Sequence, residues 1–167
     1  MRPAVRYLVL TILSASALAA CNDPAKSLAE AQPAAGSQLK EFSKQWNDKV
    51  DLTRATPLLQ RYCANASGAP CAPNTIEQLR QYGLNDDSTG VDLAYTFVRM
   101  AADAKDGTAD QKASDEDFVS SCYRVMFGRE PDPEGAAHHL GSISGRGEEG
   151  RKALAMAFLR APEFSSK

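Results

Sequence analysis

From Ser37 onward, apolar positions recur every three or four residues. Leu39, Phe42, Trp46 and Val50 are separated by Lys40, Glu41, Lys44 and Lys49, which predicts an amphipathic helix from Ser37 to Val50. Thr56-Pro57 supplies an N-cap followed by proline in the first turn, and so predicts a short helix with Leu58, Leu59, Tyr62 and Cys63 as its apolar face. Ser67-Gly68-Ala69-Pro70 reads as a turn. Asn74 predicts the cap of a third helix bearing Ile76, Leu79 and Tyr82, which Gly83 can stop. A fourth helix is expected from about Val91 to Ala104, with Leu93, Ala94, Phe97, Val98 and Ala101 on one side.

After a polar break at Asp106 to Asp110 the punctuation sharpens. Ser114, with Asp117 three residues on, predicts a capped helix start, and the helix that follows buries Phe118, Val119, Cys122, Val125 and Met126 before Gly128 ends it. In Pro131-Asp132-Pro133-Glu134-Gly135, Asp132 is a natural N-cap and Pro133 fits the first turn, so a helix restarts at once. It closes near Gly145 to Gly147. A last helix presents Leu154, Ala157, Phe158 and Leu159 and ends at Pro162. No stretch alternates with the period of a strand, so the fold class expected is all-α, a small multi-helix bundle.

The first twenty residues stand outside that bundle. Arg2 and Arg6 precede an apolar run from Tyr7 through Leu13, and small residues follow at Ala15, Ala17, Ala19 and Ala20, the pattern of a secretory signal. The signal holds two of the chain's 19 basic residues and none of its 21 acidic ones, so the remainder carries a formal charge of −4. Without a basic excess, nucleic acid is excluded as a partner class, because neutralising phosphates requires clustered Lys and Arg. Residues 22–36 are poor in large apolar side chains and hold two prolines, and so read as a flexible tether. The expected organisation is signal peptide 1–20, lipidated tether 21–36, helical N-terminal region 37–113 and helical module 114–167.

Leu18-Ala19-Ala20-Cys21 resembles the lipobox of bacterial lipoproteins. That resemblance implies a lipidated Cys21 as the first residue after cleavage, and two or more acyl chains would make a stable membrane anchor. Asn22 follows the cysteine where an Asp would resemble an inner-membrane retention signal, which favours the outer membrane.

Asp117-Phe118-Val119, the run from Tyr123 to Gly135 and the closing Ala157-Phe158-Leu159-Arg160-Ala161-Pro162-Glu163-Phe164 resemble the bacterial domain-of-unknown-function family 4214, over roughly residues 115–165. That family's pattern is an aromatic helix ending in Gly-Arg-x-Pro-Asp, a Gly three residues after that Asp, and a closing Phe-Leu-x-Ser-x-Glu-Phe. The resemblance implies a small helical module of secreted and surface proteins and attaches no catalytic residue. This sequence departs from the pattern at His139, where a Trp is usual, and at Ala161, where a Ser is usual.

Within the motif, Arg129, Asp132 and Glu163 form a candidate interaction cluster, and the expected role of Arg129 is to clamp the interhelical turn to the chain's end. Trp46 is the other candidate contact, on a stripe that either covers the core, the favoured reading, or meets a partner. Cys63 and Cys71 flank a turn and are the economical disulfide pair, leaving Cys122 as a buried thiol. His138 and His139, being adjacent, point about 100° apart on a helix and cannot chelate one metal together. The run Asn85 to Asp92 mimics the start of a calcium loop, but Thr96 stands where a bidentate Glu belongs, so it reads as a solvated turn capping the next helix.

No nucleophile elbow, zincin motif, phosphate loop or dinucleotide fingerprint is present in the sequence, and no cofactor or metal is implied. The chain is therefore expected to be a non-enzymatic envelope lipoprotein that binds or scaffolds an envelope protein or glycan. The alternatives are a pilotin-like assembly lipoprotein for a secretion or pilus component and an envelope glycan-acting enzyme.

Overall fold

Helix α3, Gly90–Lys105, is central to the bundle because one face carries Leu93, Ala94, Phe97 and Val98, all buried. The computed structural model describes residues 45–105 and 112–166. The remaining described helices are α1 (Thr56–Ser67), α2 (Thr75–Gln81), α4 (Asp115–Cys122), α5 (Pro133–Ile143), α6 (Gly147–Arg160) and α7 (Pro162–Ser166). A π-helical turn, Tyr123–Phe127, continues α4 without a break. The fold is all-α, and the described helices share one apolar core running from Ala55 to Phe164. α3 packs on α4 and α6, while α1 packs on the π turn. No described helix is long and apolar enough to cross a membrane.

Local sequence accounts for most helix limits. Ser114 accepts a hydrogen bond from the Asp117 amide, as its spacing predicts, and three acidic residues occupy the first turn of α4. Asp132 caps α5 by accepting from the Gly135 amide at 2.8 Å. At α3 the Thr89 amide and hydroxyl both donate to the Asp92 carboxylate, and the Asp92 amide returns a bond to the Thr89 hydroxyl. Glycines stop two helices by adopting left-handed backbone, with Gly68 after α1 at φ 71° and Gly128 after the π turn at φ 68°. Around Gly128 space is also short, since a β-carbon there would lie 3.0 Å from the Asn65 side-chain oxygen.

Several expectations need correction. The helix expected from Ser37 to Val50 does not extend through residues 45–50, and Leu39 and Phe42 lie outside the described residues. Trp46 sits in a turn, and Lys49 forms an antiparallel bridge with Thr89. The segment instead satisfies its backbone against the approach to α3. The Val50 amide donates to Ser88, while the Gly90 and Val91 amides donate to Asp48 and Trp46. Trp46 and Val50 still pack against the core, so their spacing marks burial but not helix. Ile76, expected on a buried face, is exposed at 38%, because α2 buries only Thr75 and Leu79. Thr56 is the first residue of α1 and not its cap, its hydroxyl donating back to the Thr53 carbonyl. Pro162 ends α6 but at once opens the short α7.

The disulfide pairs Cys63 with Cys71 across a Cα separation of 5.1 Å, and Cys122 is a free, fully buried thiol. Burial pushes the Cys122 pKa well above the ordinary thiol range, which makes it a packing group and a poor nucleophile.

Candidate functional site

The π turn, the α5 cap and α7 converge to build the site around Arg129. The left-handed Gly128 turns the chain so that Arg129 lies over the Tyr123 and Phe127 rings, with its guanidinium carbon 4.9 and 5.7 Å from their centroids. From there Nε and Nη2 donate to the two oxygens of Glu163, both at 2.8 Å. This fork-to-carboxylate pairing ties the turn that follows the π segment to α7. The Glu163 hydrogen bond raises the Arg129 pKa further, so the cation is permanent. Asp132 stands farther off, at 3.9 Å from Nη1, and the Gly135 amide that it caps holds its pKa below the usual carboxylate range.

Arg129, Asp132 and Glu163 are thus brought together as expected, and their mutual pairing performs the clamp read from the sequence. Trp46 makes a different contact, with the Arg160 guanidinium 4.2 Å above its ring. Cys21 lies outside the described residues. In the Asn85 to Asp92 run, Asp86 pairs with Arg80 and Asp87 with Lys49, while Asp92 is taken by Thr89 and Lys152. Among the described residues no group of three or more metal-ligating side chains gathers.

Beneath the clamp lies an aromatic nest. Phe158 stacks on Phe127 at 4.7 Å with an interplanar angle of 12°, meets Tyr123 edge-on at 5.0 Å, and receives the tilted His139 ring at 5.1 Å. His139 occupies the position where the family pattern has Trp, and it does pack on two of these rings. Burial and the neighbouring His138 lower its pKa from the ordinary 6.5. Because the unfolded chain takes up this proton first, stability is full above about pH 6.5 and declines as pH falls through the lower folded value. Thermal melts between pH 7.5 and 5.5, above the carboxylate range, should show this decline, and His139→Gln should flatten it.

Gly135 explains one element of the motif. A β-carbon there would lie 2.5 Å from the Tyr123 hydroxyl and 3.2 Å from Asp132. Gly135→Ala should therefore force Tyr123 or the α5 start to shift and cost about 1–3 kcal/mol, measured by urea unfolding. A loss below about 0.5 kcal/mol would mean that the ring moves freely.

Sequence reasoning missed the second clamp. Arg61 on α1 donates to the Met126 and Phe164 carbonyls, each at 3.1 Å, and Asn65, one turn later, donates to Val125 at 2.9 Å. These bonds satisfy carbonyls at the end of the π turn and in α7. The i, i+4 spacing of Arg61 and Asn65, beside the apolar face of Leu58, Leu59, Tyr62 and Cys63 on α1, was the available signal.

Residues 100–167 match the family model described as Domain of unknown function (DUF4214). The match bears out the C-terminal resemblance and begins earlier than residue 115, inside α3. No curated protein and no solved structure matches the chain.

Proposed function

We propose that the chain is a lipid-anchored protein of a bacterial cell envelope whose helical body binds or scaffolds an envelope protein or glycan. The observation that carries this reading is the Cys63–Cys71 disulfide, since such bonds persist outside the reducing cytosol. Leu18-Ala19-Ala20-Cys21 points the same way, with the lipid on Cys21 as the membrane contact and the outer membrane as the favoured location. A binding role is favoured over catalysis by how the charged groups are used. Arg129 and Glu163 are spent on each other, Asp132 on a helix cap, and the buried Cys122 is held as a thiol.

Crosslinking in intact cells, followed by capture of the full-length chain from membranes, tests the reading. Enrichment of one envelope component, protein or glycan, over an anchor-only control is expected. Capture indistinguishable from that control would reject the binding role.

A further inference from the structure

Helix α5 is thinly anchored. Of its 11 residues only Ile143 is buried, whereas α1, α4 and α6 each bury four or more. The side-chain hydrogen bonds described for it are local, since Asp132 caps the Gly135 amide and the Ser142 hydroxyl donates to the His139 carbonyl. Two left-handed glycines, Gly145 and Gly147, join it to α6, so it can part from the bundle without moving its neighbour. A helix held by so little buried apolar surface belongs to the part of a chain that opens at lowest cost.

His139 is what holds the middle of α5 down. Its half-buried ring tilts onto Phe158 at 5.1 Å and onto Tyr123 at 5.8 Å, and so spans from α5 to both α6 and the π turn. The charged and titratable groups around it come from three places. On its own helix the exposed His138 ring stands 5.1 Å away, and Asp132 occupies the cap. The π turn brings Tyr123, which already carries the Arg129 guanidinium 4.9 Å from its centroid, with Glu163 of α7 paired behind it. From α6 comes Phe158, which is uncharged. A neutral imidazole packs on these rings as one more aromatic. An imidazolium would bring a second positive charge to the ring that Arg129 occupies, where burial strips it of water. Asp132 is a weak counter-charge, being exposed and committed to the Gly135 amide. Burial and His138 lower the His139 pKa, the direction that this geometry requires.

We propose that His139 is an acid-sensitive latch, protonation of which releases α5 from the bundle and uncovers the aromatic surface of Tyr123, Phe127 and Phe158. In the released helix the imidazole titrates near its ordinary 6.5, so opening takes up a proton below that pH and the latch stays shut above it. At pH 5.5 the gain in open population has a ceiling of about tenfold. The response is confined to α5, because the buried face of α3 opens only with the whole chain.

Hydrogen exchange of the full chain in detergent, followed by mass spectrometry at pH 7.5 and 5.5 and corrected for intrinsic rates, tests the latch. Protection of residues 134–143 should fall about three- to tenfold at the lower pH while that of α3 holds. His139→Phe, which keeps an aromatic ring and removes the proton, should leave α5 equally protected at both pH values. His138→Gln should respond as the parent does. In the parent chain, which needs no substitution to fold, the His139 ring protons followed by nuclear magnetic resonance should titrate below pH 6.5. Protection in α5 that does not change with pH, a loss shared equally by α3, a His139→Phe chain that keeps the response, a His138→Gln chain that loses it, or a His139 titration at or above 6.5 would each overturn the proposal.

Discussion

Phe158→Ala should lower the stability of the chain by about 3–5 kcal/mol, the range for truncating a buried aromatic. The residue is 2% exposed and touches Tyr123, Phe127 and His139 at centroid distances between 4.7 and 5.1 Å. Those rings come from two elements, the π turn and α5, so the cavity left by truncation cannot collapse onto a single neighbour. Tyr123 and Phe127 also form the platform under Arg129, so loss of Phe158 should loosen the Glu163 pairing as well. Urea unfolding followed by far-ultraviolet circular dichroism measures the cost. A loss below about 1 kcal/mol would show that the nest is not the core of the C-terminal region.

Replacing Cys63 and Cys71 together by Ser should cost about 2–3 kcal/mol. The disulfide closes a loop across a sequence separation of 8, and the loss of denatured-state freedom for so short a loop falls in that range. The bond also fixes the end of α1, whose Arg61 and Asn65 hold the π-turn carbonyls. Thermal melts of the variant and of the reduced parent should therefore fall together. Equal stability with and without the bond would contradict the account of α1 as a pinned wall of the core. Non-reducing peptide mapping should recover the Cys63–Cys71 link with Cys122 free.

The elements easiest to read in the sequence were those whose limits are set by neighbours in the chain. Ser114 with Asp117, and Asp132 with Gly135, announce helix starts because the capping bond spans three residues. The Arg129, Asp132 and Glu163 cluster was visible as a charge pattern within a spaced motif. Its bidentate geometry was not, because Glu163 lies 34 residues away. Residues 45–50 were misread because Trp46 and Val50 keep a helical interval while the deciding contact is made with Thr89. Ile76 misled for a related reason, since a seven-residue helix buries only one narrow strip.

The proposed anchoring of this helical body to the envelope through Cys21 is tested by metabolic labelling with a fatty-acid probe in parent and Cys21→Ala cells. A labelled, detergent-phase parent is expected beside an unlabelled variant, found as a soluble protein or as an uncleaved precursor. A variant that still carries the probe at the parental size would contradict it.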